Sequence, residues 1–210
     1  MAALDYIRDP AAIYAASWAA IRDESDLSEL PADIEPLAVR LIHACGMPDI
    51  VADLAFSDGA VAAGQAALTA SAPVLVDAEM VGRGVIRRLL PGDNEILCTL
   101  HADGVKEAAA QIGTTRSAAA VDLWAAHLDG AVVAIGNAPT ALFRLLELLD
   151  EGAAKPALIL GFPVGFVGAA ESKEALIELA GEIPFVTLRG RRGGSALAAA
   201  AVNALAGGLG

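Results

Sequence analysis

The chain is poor in aromatic side chains, in positive charge, in histidine and cysteine, and in long apolar runs. Each shortage excludes something. Fourteen Lys and Arg against 26 Asp and Glu leave a formal net charge of −12. That balance argues against nucleic acid and anionic membrane surfaces as partners. No unbroken apolar stretch approaches the ~20 residues that cross a bilayer, because Gly, Pro or a charge interrupts every candidate. The opening MAALDYIRDP has no basic segment followed by an apolar one, so no leader peptide is expected, and a cytoplasmic location is the expectation. The two cysteines, Cys45 and Cys98, have no metal-ligand spacing and read as small core residues, one in a helical and one in a strand pattern. Two phosphate-binding signatures are also missing. No Lys-Ser/Thr follows the glycines of RGRRGG, and GFPVGFVG does not satisfy G-x-G-x-x-G.

What is present is small and apolar. With 210 residues, 56% of them hydrophobic and only 4% aromatic, the chain can bury a full core and is too apolar to stay unfolded. The Ala and Gly excess suits close helix–sheet packing. Asp9-Pro10 predicts an N-cap and first helical residue, with a helix to about Arg22. A second helix is predicted from near Pro31 to the stop at Gly46-Met47-Pro48. From residue 59 the pattern alternates. Helix GAVAAGQAALTAS precedes strand PVLVDAEMV, which ends near Asp77; strand ILCTL precedes helices DGVKEAAAQIG and TRSAAAVDLWAAHLDG. Strand AVVAIG then precedes NAPTALFRLLELLDEG, where Leu142, Leu145, Leu146 and Leu149 form an i, i+3, i+4, i+7 stripe. PALILGFP, ESKEALIELAG, PFVTLRG and GGSALAAAAVNALAGG continue as strand, helix, strand, helix. Short unbroken apolar strands between helices imply an α/β fold, a mostly parallel sheet with helices on both faces. We read residues 1–210 as a single domain, with a helical part at 1–58 and an alternating part at 59–210.

In such sheets, ligands bind where strands end and helices begin, and the unusual residues fall at those junctions. Eleven of the 14 cations are Arg, whose planar fork grips carboxylate or phosphate through two hydrogen bonds. They cluster at Arg83/Arg87/Arg88, at Arg116, and at Arg189/Arg191/Arg192. Thr115, Arg116 and Ser117 open a helix, where free N–H groups, the dipole and a guanidinium make an anion site. Asn137 and Thr140 open another, with Asn137 expected to cap it; a well-capped helix would suffice to explain them. TLRGRRGGSALAA puts three arginines and three glycines between a strand and a helix, and a solvated loop is the other reading. GFPVGFVG brings Phe162 and Phe166 into a loop that a plain connection would build from polar residues. Of the three histidines, His127 ends a helix, His101 follows a strand, and His43 sits mid-helix with Arg40 one turn before it. Spacing alone makes His43 first a satisfied core histidine and second a proton carrier.

Six segments in order carry a resemblance: RLIHACGMPDI, DAEMVGRGV, TRSAAA, GNAPTALF, GFPVGFVGAAESKEAL and RGRRGGSALAAAAVNAL. Together they span about residues 40 to 205 and are similar to the successive signature segments of the precorrin-8X methylmutases, or precorrin isomerases; HADG (101–104) carries none of it. The resemblance implies a step of cobalamin biosynthesis. A methyl group moves from C-11 to C-12 of precorrin-8X in a [1,5]-sigmatropic shift that gives hydrogenobyrinic acid, with no S-adenosylmethionine, other cofactor or metal required. It implies His43 as the proton donor and a homodimer with active sites near the subunit interface. The implied substrate is a flat tetrapyrrole fringed with carboxylates, for which Ser17, Arg40, Arg116, Ser117, Asn137, Thr140, Gly165, Phe166, Arg189, Arg191, Arg192 and Gly194 are the candidate binding residues. GFPVGFVG would wall the ring and the arginines would hold its rim. Two other readings stay open on the residues alone: a non-catalytic corrin carrier, and an α/β enzyme that binds a phosphorylated ligand at the Arg/Gly loop.

Overall fold

A computed structural model describes residues 4–207. Met1, Ala2 and Ala3 of the opening stretch and Gly208 of the closing segment therefore lie outside the described residues. Helix α1 (Pro10–Glu24) starts as its sequence demands, with the Asp9 carboxylate accepting from the Ala12 N–H at 2.7 Å and Pro10 at the first position. Helix α2 (Ile34–Cys45) begins one turn after Pro31, whose carbonyl accepts from the Ile34 and Glu35 amides. It ends at Gly46, which adopts φ 68° and returns its N–H to the Ile42 carbonyl. A left-handed residue is cheapest as glycine, so this stop is written in the sequence.

After a 3₁₀ turn at Pro48–Asp53 come β1 (Leu54–Phe56), α3 (Ala60–Thr69), β2 (Val74–Val76), α4 (Glu79–Gly84), β3 (Ile96–Cys98), α5 (Val105–Ile112) and α6 (Arg116–Asp122). The chain closes with β4 (Val132–Ile135), α7 (Pro139–Asp150), β5 (Leu158–Gly161), α8 (Ala169–Leu179), β6 (Phe185–Leu188) and α9 (Ser195–Leu205). The six strands form one sheet in the order β1-β6-β5-β4-β2-β3. All neighbours are parallel except β1, which runs antiparallel to β6 with Leu54 opposite Leu188. The mostly parallel α/β sheet is as expected from the alternation. Two elements are not: β1 is three residues without alternation, and α4 is six residues. Both are too short to carry a period and are held by their neighbours.

Period-two strand geometry sorts the core into two layers. Val74 and Val76 of β2 pack on one face with α2, α3, α4 and α9, whereas Leu75 packs on the other with α6, α7 and α8. Leu142, Leu145 and Leu146 of the α7 stripe are buried, and Leu149 packs half-buried beside them. Each fully buried Leu or Val contributes roughly 1.5–3 kcal/mol before chain entropy is set against it.

The strand order reverses between β2 and β4, since β3 lies outward of β2 while β5 and β6 continue beyond β4. A crevice opens at the carboxyl ends of such a pair. Here Asp77, directly after β2, crosses it. Its carboxylate accepts from the backbone N–H groups of Gly136, Asn137 and Ala138 at 2.8, 3.0 and 2.7 Å. These are donors at the start of α7, which has no side-chain cap of its own. The expected Asn137 cap is thus supplied from another strand: Asp77 is a longer reach but offers two oxygens to three donors. Burial pushes the Asp77 pKa up, against the downward pull of these N–H groups. Asp77→Ala would strand buried donors and is expected to cost roughly 1–3 kcal/mol in urea unfolding, with Asp77→Asn losing less. An alanine variant as stable as the wild-type protein would refute this bridging role.

Candidate active site

The candidate residues gather along the carboxyl edge of the sheet in a continuous arc. At one end, α1 and α2 bring Ser17 and His43 together, with Ser17 Oγ 2.9 Å from His43 Nδ1. Trp18 and Tyr14 lean on the imidazole, their ring centroids 4.6 and 5.8 Å from it. His43, Ser17, Gly46 and Pro48 line a recess of about 170 Å³. Partial burial, helped by the charge of Arg40, holds the His43 pKa below its ordinary value of 6.5. The resting imidazole is therefore neutral at pH 7. With Nδ1 engaged by Ser17, Nε2 is the nitrogen left for a ligand.

Met47 leads from this recess to the next part of the arc. Met47, Val164, Gly165, Phe166, Arg191, Arg192 and Gly193 line a largely apolar cleft of about 340 Å³. Two loops form its wall and are joined through their backbones. Gly194 N–H donates to the Phe162 carbonyl at 2.8 Å, and Gly165 N–H to the Arg191 carbonyl at 3.3 Å. The contact is so close that a Cβ at Gly193 would run into the carbonyl oxygens of Phe162 and Pro163. Glycine is required there by space. The two phenylalanines of the loop divide: Phe162 is fully buried in the core, while Phe166 is 83% exposed. Only Phe166 can face a ligand, and the Arg191 guanidinium lies 5.4 Å from its ring centroid.

The arc continues through Val164, whose N–H reaches the Asn137 carbonyl at 3.5 Å. Asn137 leads to Thr140, whose Oγ1 lies 2.8 Å from Oγ1 of Thr115. Thr115 in turn caps α6, accepting from Ala118 N–H at 3.1 Å, and so sets Arg116 and Ser117 at that helix start. The arginines are not equivalent. Arg192 is held by Asp49 and Asp53, both at 2.6 Å, and Arg189 is paired with Glu174. Among the described residues no ion pair engages Arg116 or Arg191. Arg83, Arg87 and Arg88 lie on and after α4, and Arg83 and Arg87 line a recess at the β3 edge outside the arc. A larger groove of about 460 Å³ between α7 and α8 sits at the amino edge and is lined by Glu147, Asp150 and Glu182 against Lys155. Its carboxylates make it unsuitable for a polyanion.

The family profile described as precorrin-8X methylmutase matches residues 12–207. The chain belongs to the precorrin-8X methylmutase family. It is 63% identical to a precorrin-8X methylmutase of Pseudomonas aeruginosa, over 97% of this chain and 98% of that one. It is 57% identical to a precorrin-8X methylmutase of Sinorhizobium sp over 96% of each. A crystal structure of precorrin-8X methyl mutase from Thermus thermophilus superposes with TM-score 0.85 at 39% identity, covering 95% of this chain and 96% of that one. Membership makes this protein an isomerase of cobalamin biosynthesis acting on a tetrapyrrole precursor.

The sequence reading missed Tyr14 and Trp18, although with Ser17 they fall at i, i+3 and i+4 of one helix in a chain poor in aromatics. It also missed Lys173, which occupies a buried position of the Ala169, Ser172, Lys173, Leu176 stripe. For His43, the depressed pKa means that the unfolded chain binds more protons between the folded value and 6.5. Stability is therefore lost as pH falls through that window. Histidine NMR of the free protein is expected to show the His43 ring titrating below 6.5, and only partly restored in Arg40→Met because burial is the larger cause. A ring that titrates at or above the ordinary value would overturn the neutral resting state.

Proposed function

We propose that the protein moves the methyl group from C-11 to C-12 of precorrin-8X to give hydrogenobyrinic acid, with His43 as the general acid. The observation that carries this reading is the hydrogen-bonded, partly buried His43 beside an apolar cleft whose edge bears arginine. Protonating the conjugated macrocycle draws electron density from the migrating bond, and withdrawal of the same proton completes the shift. The neutral tautomer with Ser17 donating to Nδ1 keeps its proton on Nε2. The imidazolium reverses that bond, with Nδ1–H donating to Ser17, so Ser17 serves both states.

A neutral histidine is a poor acid, and the ligand corrects this. One carboxylate at about 4 Å, at an effective dielectric of about 20, favours the imidazolium by about 4 kcal/mol, some three pKa units before screening. The substrate's own carboxylates thus help to protonate the acid. General acid catalysis supplies roughly 10²–10⁴ in rate, and positioning in the cleft supplies the rest.

Phe166 and the backbone at Gly165 and Gly194 wall the ring. Arg191 and Arg116 meet rim carboxylates, with Ser117, Asn137 and Thr140 between them along the arc. Arg40 acts on His43 through its charge, and Arg192 and Arg189, paired with carboxylates of their own chain, anchor the loop rather than meet the rim. A homodimer would cover the exposed Phe166, Val167, Ile13 and Tyr14 and close the open side of the cleft. The metal-free substrate is favoured by the names of the 63% and 57% identical relatives, against a cobalt-precorrin-8 methylmutase of Priestia megaterium at 40%. A cytoplasmic location is part of the same proposal; no described helix is long and apolar enough to cross a membrane.

Turnover of precorrin-8X, followed by its absorption spectrum, is expected for the wild-type protein. His43→Ala should bind product and lose at least 10²-fold in kcat; full activity in this variant removes His43 as the acid. Arg191→Ala is expected to weaken product binding several-fold, about 1 kcal/mol or more, and unchanged affinity would refute its place at the rim.

A further inference from the structure

Lys173 is fully buried in α8, yet nothing in the chemistry above uses it. Placing an ammonium group at a core position costs desolvation energy that a leucine would avoid. What it gains is a single directed contact: Nζ donates to the Arg192 carbonyl at 2.6 Å. That carbonyl belongs to the loop that walls the cleft, between the Arg191 carbonyl held by Gly165 and the Gly194 amide held by Phe162. The charged groups around the ammonium come from three elements. Asp53, the last residue of the 3₁₀ turn, is shared with Arg192, which also holds Asp49. Glu174, on α8 itself, is occupied by Arg189 from the β6–α9 loop. Burial outweighs the attraction of Asp53 and Glu174 and draws the Lys173 pKa down to about 8.

We propose that Lys173 is a positioning residue, whose ammonium group pins the Arg191–Gly194 wall from beneath and adds a positive charge that the anionic macrocycle senses through it. The proposal rests on the cleft being the macrocycle site. An anionic ligand favours the ammonium form, so binding raises the Lys173 pKa. Above pH 8 binding then takes up a proton, and affinity falls as pH rises through that region. Below it, the lysine is already charged and affinity is level with respect to this group.

The protein holds only three lysines, and Lys106 and Lys155 are exposed, so lysine labelled with ¹³C at Cε gives a spectrum simple enough to assign. In the free protein one signal is expected to titrate near 8, and hydrogenobyrinic acid should move that midpoint upward. The Kd for hydrogenobyrinic acid should rise about tenfold between about pH 7.5 and pH 9.5 in the wild-type protein. Lys173→Met should bind about tenfold more weakly at neutral pH, with the rise abolished and kcat at saturation changed less than affinity. Ligand that binds without moving any lysine midpoint, or a Lys173→Met profile parallel to that of the wild type, would overturn the proposal and leave the site reading intact. Failure of hydrogenobyrinic acid to bind at any pH would instead remove the site reading on which the proposal stands.

Discussion

Two strand-to-helix loops lie backbone against backbone, and the cleft depends on that contact. The β6–α9 loop approaches the carbonyls of Phe162 and Pro163 so closely that position 193 has no room for a side chain. The hydrogen bonds from Gly194 and Gly165 then lock the two loops into one surface. A wall made this way presents few movable side chains, so little conformational entropy would be lost if a flat ligand settled on it as proposed. It also fixes what projects from it. Phe162 is taken into the core while Phe166 stands outward, and the Arg191 guanidinium lies 5.4 Å from the Phe166 ring centroid.

The charge distribution is organised by the same loop. A protein of net charge −12 should repel a polycarboxylate at long range. Screening at physiological salt limits that repulsion to about 8 Å, so the local cations decide inside the cleft. These cations are divided between two tasks. Arg192 is committed to Asp49 and Asp53 and ties the loop to the end of the 3₁₀ turn. Arg191, its neighbour, enters no ion pair among the described residues. A run of arginines thus combines an anchored guanidinium and an unpaired one, the one proposed above for the rim, with the difference set by which guanidinium finds carboxylates on its own chain.

His43 and Lys173 follow one electrostatic logic. Desolvation lowers the pKa of each, so in the free protein each holds its proton less firmly than in water. An anionic ligand in the proposed site would reverse that preference for both groups: it would charge His43 near neutral pH, and would keep Lys173, already charged below about pH 8, protonated to higher pH.

Much of this was legible from residues in order. Asp9-Pro10 and Gly46 marked helix ends through local backbone chemistry, and the strand–helix alternation carried the parallel sheet because a strand buried on both faces must be apolar throughout. The six signature segments identified the family. Other features had no local signal. β1 and α4 are too short to show a period, Asp77 caps a helix some sixty residues away, and Lys173 interrupts an apolar stripe for a carbonyl on another loop. By itself the sequence determined the architecture and its strand-to-helix junctions, because turns, caps and apolar periods act between near neighbours. Only the tertiary structure decided which phenylalanine is wall and which is core, which arginine is anchored and which is open, and what sets the protonation of His43. Burial and ion pairing depend on which distant groups the fold brings within a few ångströms.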